Sequence, residues 1–151
     1  MENAIDFSLP DTNNKQVTLS EFYGESNVVL IFFPLAFSGV CTKELCSTRD
    51  NMKMYDSLNA KVLAISVDSF FTLKAFKETN NLNFSLLSDF NKEVSKKYDT
   101  LYEDYFGMKG VSKRSAFVID KQGRVAYKEI LEDSDNIPQF DRVQEVLAGL
   151  D

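Results

Sequence analysis

The sequence predicts an α/β fold, a central mixed β-sheet flanked by helices with a β-hairpin extension at the N-terminus, and three observations carry that prediction. Six consecutive apolar residues, 28–33 (VVLIFF), mostly β-branched or aromatic, read as a strand buried on both faces. A helical pattern and then a second apolar run, 61–67 (KVLAISV), follow it. A strand, a helix and a strand in that order imply a parallel, right-handed crossover. Late in the chain, 115–119 and 124–130 read as strands separated only by Asp120-Lys121-Gln122-Gly123, a turn short enough to force an antiparallel pair, with Gly where a positive φ is wanted.

The other elements follow from local pattern. Residues 5–9 and 16–19 alternate and are joined by the turn-rich Pro10-Asp11-Thr12-Asn13-Asn14, which predicts a small hairpin. Leu19-Ser20-Glu21-Phe22 reads as a helical turn capped by Ser20 and closed by Gly24. Pro34 ends the first buried strand, and a helix is expected from about residue 40 to Leu58, with Leu45, Met52, Tyr55 and Leu58 facing the core. Further helices are expected over 71–80, with Leu73 and Phe76 inward, over 91–98, and over 137–150, with Phe140, Val143, Val146 and Leu147 inward. A short strand is expected over 84–87, and an aromatic loop holds Tyr102, Tyr105, Phe106 and Met108. Periodicity alone leaves a thioredoxin-like layout open beside a small doubly wound sheet, and the late hairpin favours the thioredoxin-like one.

Composition bounds what such a fold can do. A chain of 151 residues can bury about two-thirds of its unfolded surface, and with no repeat, linker or internal boundary it is expected to form a single domain over residues 1–151. Thirteen Phe and six Tyr indicate an aromatic core. A net charge of −6 argues against a nucleic-acid surface, which needs clustered Lys and Arg. No apolar run is long enough to span a bilayer, and the N-terminus shows no basic region or signal-type segment, so no membrane contact and a cytoplasmic location are expected.

Two cysteines and no histidine are the most restrictive facts. A Cys–His catalytic pair is impossible, so a reactive thiol must be activated by backbone dipoles and by Arg or Lys. Two thiolates alone do not complete a tetrahedral shell, and neither a metal nor any other cofactor is expected. Cys41 falls in the first turn of its helix, where unpaired N–H groups and the positive end of the dipole favour thiolate over thiol. Thiolate is the nucleophile.

Three separated stretches carry a resemblance to a known family. Pro34-Leu35-Ala36-Phe37-Ser38-Gly39-Val40-Cys41 resembles the peroxiredoxin active-site motif, with Ser where that family more often has Thr. Cys41-Thr42-Lys43-Glu44-Leu45-Cys46, followed by Arg49-Asp50, is similar to the bacterioferritin-comigratory or peroxiredoxin Q type, in which a resolving cysteine lies five positions downstream. Lys113-Arg114-Ser115-Ala116-Phe117-Val118-Ile119-Asp120 is similar to the family's second signature, an Arg heading a late strand. The Pro-Leu-Ala-Phe lead-in resembles the related AhpE-like one-cysteine group.

What the resemblance implies is a peroxidase in which Cys41 attacks hydrogen peroxide or an alkyl hydroperoxide. The N–H groups near Val40 and Cys41, the Ser38 hydroxyl and the Arg114 guanidinium would donate to the two peroxide oxygens. Arg114 would stabilise both the thiolate and the charge building on the departing oxygen. Pro34 would shield the sulfur from water, and Glu44, one turn after Cys41, would orient Arg114 or Arg49. Oxidation leaves a sulfenic acid that Cys46 would condense to a disulfide. Residues five apart on an intact helix are roughly 8 to 9 Å between Cα atoms, beyond the about 7 Å a disulfide tolerates, so the turn between the cysteines must unwind first. The implied reductant is thioredoxin. A thioredoxin-like disulfide oxidoreductase, a one-cysteine peroxidase with Cys46 non-resolving, and a non-catalytic module are the alternatives. Ala36-Phe37 and the loop near Tyr105 could form a homodimer face, and a monomer fits equally well.

Overall fold

A computed structural model describes residues 2–150 and gives a five-stranded sheet in the order β5-β4-β3-β8-β9. The strands are β3 (Asn27–Phe32), β4 (Ala60–Ser66), β5 (Ser85–Ser88), β8 (Ser115–Ile119) and β9 (Val125–Ile130). β3, β4 and β5 run parallel, whereas β8 is antiparallel to both β3 and β9. Early crossovers and a late hairpin therefore meet on the central strand. Gly123 makes the tight turn into β9 at φ 78°, and a Cβ there would lie 2.8 Å from the Tyr23 ring.

Helices cover both faces, because every residue of β3 and β8 is buried and each strand sends alternate side chains to opposite sides. On one face Val29, Ile31 and Phe33 pack with Leu45 of α1 (Gly39–Asp50), Met52 and Tyr55 of α2 (Met52–Ser57), Leu73 and Phe76 of α3 (Phe70–Thr79), and Val143 and Leu147 of α5 (Phe140–Ala148). On the other, Leu30, Phe32, Leu63 and Phe117 pack with Leu19 and with Val94 of α4 (Glu93–Lys97). Truncating one of these phenylalanines to Ala costs about 3 to 5 kcal/mol. Two short hairpins complete the fold: β1 (Ser8–Pro10) with β2 (Gln16–Thr18), and β6 (Leu101–Tyr102) with β7 (Val111–Ser112). Among the described residues no helix is long and apolar enough to cross a membrane.

The structure departs from the sequence reading in four places, each with a local cause. The helix expected to reach Leu58 breaks at Asn51, whose side-chain amide donates to the Ser47 carbonyl at 2.9 Å and takes the acceptor that its own backbone N–H would use. Ser20 is not the cap of the first helical turn: Thr18 precedes that 3₁₀ turn, Leu19–Phe22, without a side-chain bond, and the Ser20 N–H donates instead to Asp6 Oδ1 at 2.9 Å. The last helix begins at Phe140, because Pro138 has no N–H and the Gln139 N–H is tied to Glu129 Oε1 on β9 at 2.8 Å. The aromatic loop is a hairpin, β6 and β7 closed at Tyr105–Met108, with Tyr102 stacked on Tyr105 at 5.6 Å.

Candidate active site

β3 runs through the interior and delivers Phe33 and Pro34, both buried, to the loop before α1. That loop is pinned from outside. The Ala36 N–H donates to Asp68 Oδ2 at 2.8 Å, and the Ser66 hydroxyl donates to the same oxygen at 2.7 Å, which ties the loop to the end of β4. Burial pushes the Asp68 carboxyl up, and the bonds from Ala36 and Ser66 pull it back. Phe37 follows in the left-handed region at φ 69°, a conformation that costs a side chain of this size on the order of 1 kcal/mol or more. Its ring sits edge-on to Phe76 of α3 at 5.1 Å.

Ser38 occupies the N-cap position of α1. Its carbonyl accepts from both the N–H and the hydroxyl of Thr42, at 2.9 and 2.8 Å. Its own hydroxyl makes no cap bond and donates to the Leu35 carbonyl at 2.8 Å, so in this state its proton serves the loop. The N–H groups of Val40 and Cys41 lie in the first turn, ahead of the Thr42 bond, at the positive end of the helix.

Arg114 reaches the same place from the head of β8. It is among the largest fully buried side chains, and every nitrogen of its fork is placed. Nε donates to the Ser134 carbonyl at 2.8 Å, Nη1 to Glu44 Oε1 at 2.7 Å and Nη2 to Cys41 Sγ at 3.3 Å. The Arg114 backbone is held too, its N–H by the Tyr102 hydroxyl at 3.4 Å and its carbonyl by the Leu131 N–H at 2.9 Å. Burial works against the guanidinium charge, but Glu44 and Cys41 more than offset it, so the group stays protonated. Glu44 is fully buried, and burial pushes its carboxyl up to about 7 although Arg114 pulls the other way. Its second oxygen, Oε2, has no hydrogen-bond partner among the described residues.

Cys46 stands apart from this cluster. α1 is continuous from Gly39 to Asp50, both cysteines are free thiols, and the Cys46 sulfur turns toward Asn80 Oδ1 at 3.7 Å. Arg49 does not meet Glu44. It bonds Asp50 at 3.0 Å and the Asn80 carbonyl at 2.6 Å, fastening the far end of α1 to the end of α3.

Of the residues singled out by sequence, the structure brings Pro34, Ser38, Val40, Cys41, Glu44 and Arg114 to one end of the sheet and leaves Cys46 facing α3. Asp68, Tyr102 and Ser134 were not foreseen. Tyr102 stood out only as part of an aromatic stretch, and Ser134 contributes a backbone carbonyl that no side chain advertises.

A thioredoxin-like fold that sets a cysteine at a helix N-terminus against a buried arginine defines a class, the thiol-dependent peroxidases. The sequence comparisons agree. The chain belongs to the AhpC/TSA family, whose pattern matches residues 1–128, and it is a peroxiredoxin. It is 38% identical over 129 residues to alkyl hydroperoxide reductase E of Mycobacterium tuberculosis, covering 84% of this chain and 82% of that protein. It is 39% identical over 121 residues to the chloroplastic peroxiredoxin Q of Triticum aestivum, covering 80% of this chain and 54% of that one. Its fold superposes on the crystal structure of peroxidoxin BcpB from Mycobacterium tuberculosis with a TM-score of 0.86 at 30% identity, over 97% of this chain and 94% of that one.

Proposed function

We propose that this peroxiredoxin reduces hydrogen peroxide and alkyl hydroperoxides through Cys41, that Cys46 resolves the oxidised sulfur, and that thioredoxin returns the enzyme to its dithiol form. The observation that carries this reading is the Arg114 fork, which spans Cys41 Sγ at 3.3 Å and Glu44 Oε1 at 2.7 Å inside the protein. A thiolate there attacks one peroxide oxygen. The S–O bond forms as the O–O bond breaks, two electrons pass from sulfur to peroxide, and the departing alkoxide or hydroxide takes a proton.

Arg114 and the N–H groups of Val40 and Cys41 act where negative charge moves from sulfur to the leaving oxygen, as preorganised donors do. Pro34, buried and without an N–H, shields the sulfur without competing for the substrate. Ser38 serves as a donor to the peroxide once its hydroxyl turns from Leu35, and until then it shapes the loop. Glu44 aims the guanidinium.

Cys46 then attacks the sulfenic sulfur and expels hydroxide, which leaves as water. The two thiols are five residues apart on one helix, so this step requires the α1 turn between them to unwind. The thioredoxin dithiol reduces the resulting disulfide and is itself oxidised.

A second reading rests on the placement of Cys46 against α3: a one-cysteine enzyme in which an external thiol resolves Cys41 directly. NADPH consumption with thioredoxin, its reductase and hydrogen peroxide separates the two. Cys41→Ser is expected to abolish turnover. Cys46→Ser is expected to stop recycling while leaving one stoichiometric reaction with peroxide. Full turnover by Cys46→Ser would establish the second reading, and turnover by Cys41→Ser would end both.

A further inference from the structure

Two acidic groups at the site share one cation. Arg114 gives Nη1 to Glu44 and Nη2 to Cys41, and its remaining nitrogen, Nε, donates to the Ser134 carbonyl. One guanidinium cannot neutralise a thiolate and a carboxylate together. Among the described residues Glu44 has no second cation: its one ion pair is with Arg114. Other charged or titratable groups around the site are Asp141 and Arg142, which line the groove beside Glu44, Tyr102, bonded to the Arg114 backbone, and Glu132 and Tyr105, which act on Tyr102. None of them is hydrogen-bonded to the Glu44 carboxyl among the described residues. Its Oε2 is shut away from solvent with no partner, the arrangement in which a charged carboxylate is most costly and a neutral carboxyl least so.

We propose that Glu44 holds a proton while Cys41 is a thiolate and releases it when Cys41 is oxidised, so that sulfur oxidation ionises the carboxyl through the arginine they share. This rests on the reading of Cys41 as the sulfur that peroxide oxidises. In the reduced site Arg114 is balanced by the sulfur. In the sulfenic acid, which is neutral, it is balanced by Glu44, and the net charge of the buried cluster stays constant.

The proton balance closes. Cleavage of the O–O bond leaves an alkoxide or hydroxide that must take a proton, and Glu44 gives one up in the same step, so the whole reaction draws none from the medium. The groove between α1 and α5 that Glu44 lines with Ser47, Pro138, Phe140 and Arg142 is the side from which the buried carboxyl would exchange the proton once a local opening exposes it. The position of its carboxyl, pushed up to about 7 by burial, puts its two protonation states within reach of each other near neutrality. Coupling of this kind is reciprocal: the state of Glu44 also biases whether Cys41 carries charge.

Infrared difference spectra of the full chain carrying Cys46→Ser, recorded just below neutral pH before and after one equivalent of hydrogen peroxide, test this directly. The expected result is loss of a protonated carboxyl band and gain of a carboxylate band, both shifted by isotope-labelled glutamate, which excludes Asp68. In weakly buffered indicator solution the same protein should show almost no net proton uptake. Adding Glu44→Gln should abolish the infrared pair and restore uptake of about one proton per oxidised Cys41. If intact mass shows one oxygen gained at Cys41 with no glutamate signal, or if the parent takes up a full proton, the proposal is overturned. If peroxide adds no oxygen to Cys41, the peroxidase reading itself fails and this inference falls with it. The labelled parent decides the matter even if Glu44→Gln does not fold.

Discussion

Cys41 and Cys46 lie on one helix, share one covalent structure and are surrounded differently. Cys41 is 0% exposed, in the first turn, with a guanidinium nitrogen 3.3 Å from its sulfur. Cys46 is partly buried in the middle of α1; among the described residues its sulfur is hydrogen-bonded to no cation, Arg49 acts on it only electrostatically, and its bonded neighbour is the side-chain oxygen of Asn80. The helix supplies its dipole to the first and nothing comparable to the second, because the field of the terminus fades within a turn. Reactivity here comes from position along a helix and from what another element brings to it. The difference is consistent with the proposed order of events, in which the buried, polarised sulfur reacts first and the other is brought to it.

The comparison is sharpened most by removing the fork while keeping the charge. Arg114→Lys leaves one ammonium where the guanidinium spans Cys41, Glu44 and Ser134, and the second-order rate of Cys41 oxidation is expected to fall on the order of 100-fold, the typical worth of one preorganised donor. Competition kinetics against a reference peroxidase would measure it, and a rate near the parent's would show that charge alone suffices.

The next effect is on stability. Glu44 has a folded-state pKa raised by burial from 4.5 to about 7, so the folded chain binds this proton more tightly than the unfolded one. The contribution is present below about 4.5 and is lost as pH rises through about 7. Urea denaturation from pH 5 to pH 8 should therefore show the parent losing stability relative to Glu44→Gln, by on the order of 2 kcal/mol. Parallel curves would contradict it.

The smallest effect concerns Cys46. Arg49→Met removes the bond to the Asn80 carbonyl that fastens the end of α1, a loss of about 1 kcal/mol. If unwinding of α1 limits disulfide formation, the Cys41–Cys46 bond should then form about fivefold faster after a peroxide pulse, with Cys41 oxidation unchanged. Alkylation quench and mass spectrometry would time it. A slower disulfide would mean that Arg49 helps closure instead.

The candidate centre was legible in the sequence to the extent that side chains carry it. Pro34, Ser38, Cys41 and Arg114 announced themselves by type and spacing, and the parallel start and antiparallel end of the sheet followed from a strand-helix-strand crossover and one tight turn, whereas the strand order did not. The supports were hidden for physical reasons. Asp68 matters through the Ala36 backbone N–H, Ser134 through its carbonyl, and the end of α1 through a contest between the Asn51 amide and its own backbone. Main-chain partners have no sequence signature. The hairpin of β6 and β7 was masked because its two paired residues per strand are too few to show alternation.

Cys41 and Arg114 lie 73 positions apart, and Arg114 belongs to a strand that must dock beside β3 before the two can touch. During synthesis the cysteines leave the ribosome well ahead of their activator, so a nascent or unfolded molecule carries two ordinary thiols. On the proposed role of Arg114, sensitivity to oxidant switches on with maturation, and the fraction of Cys41 that reacts in the fast phase gauges how many copies have finished folding.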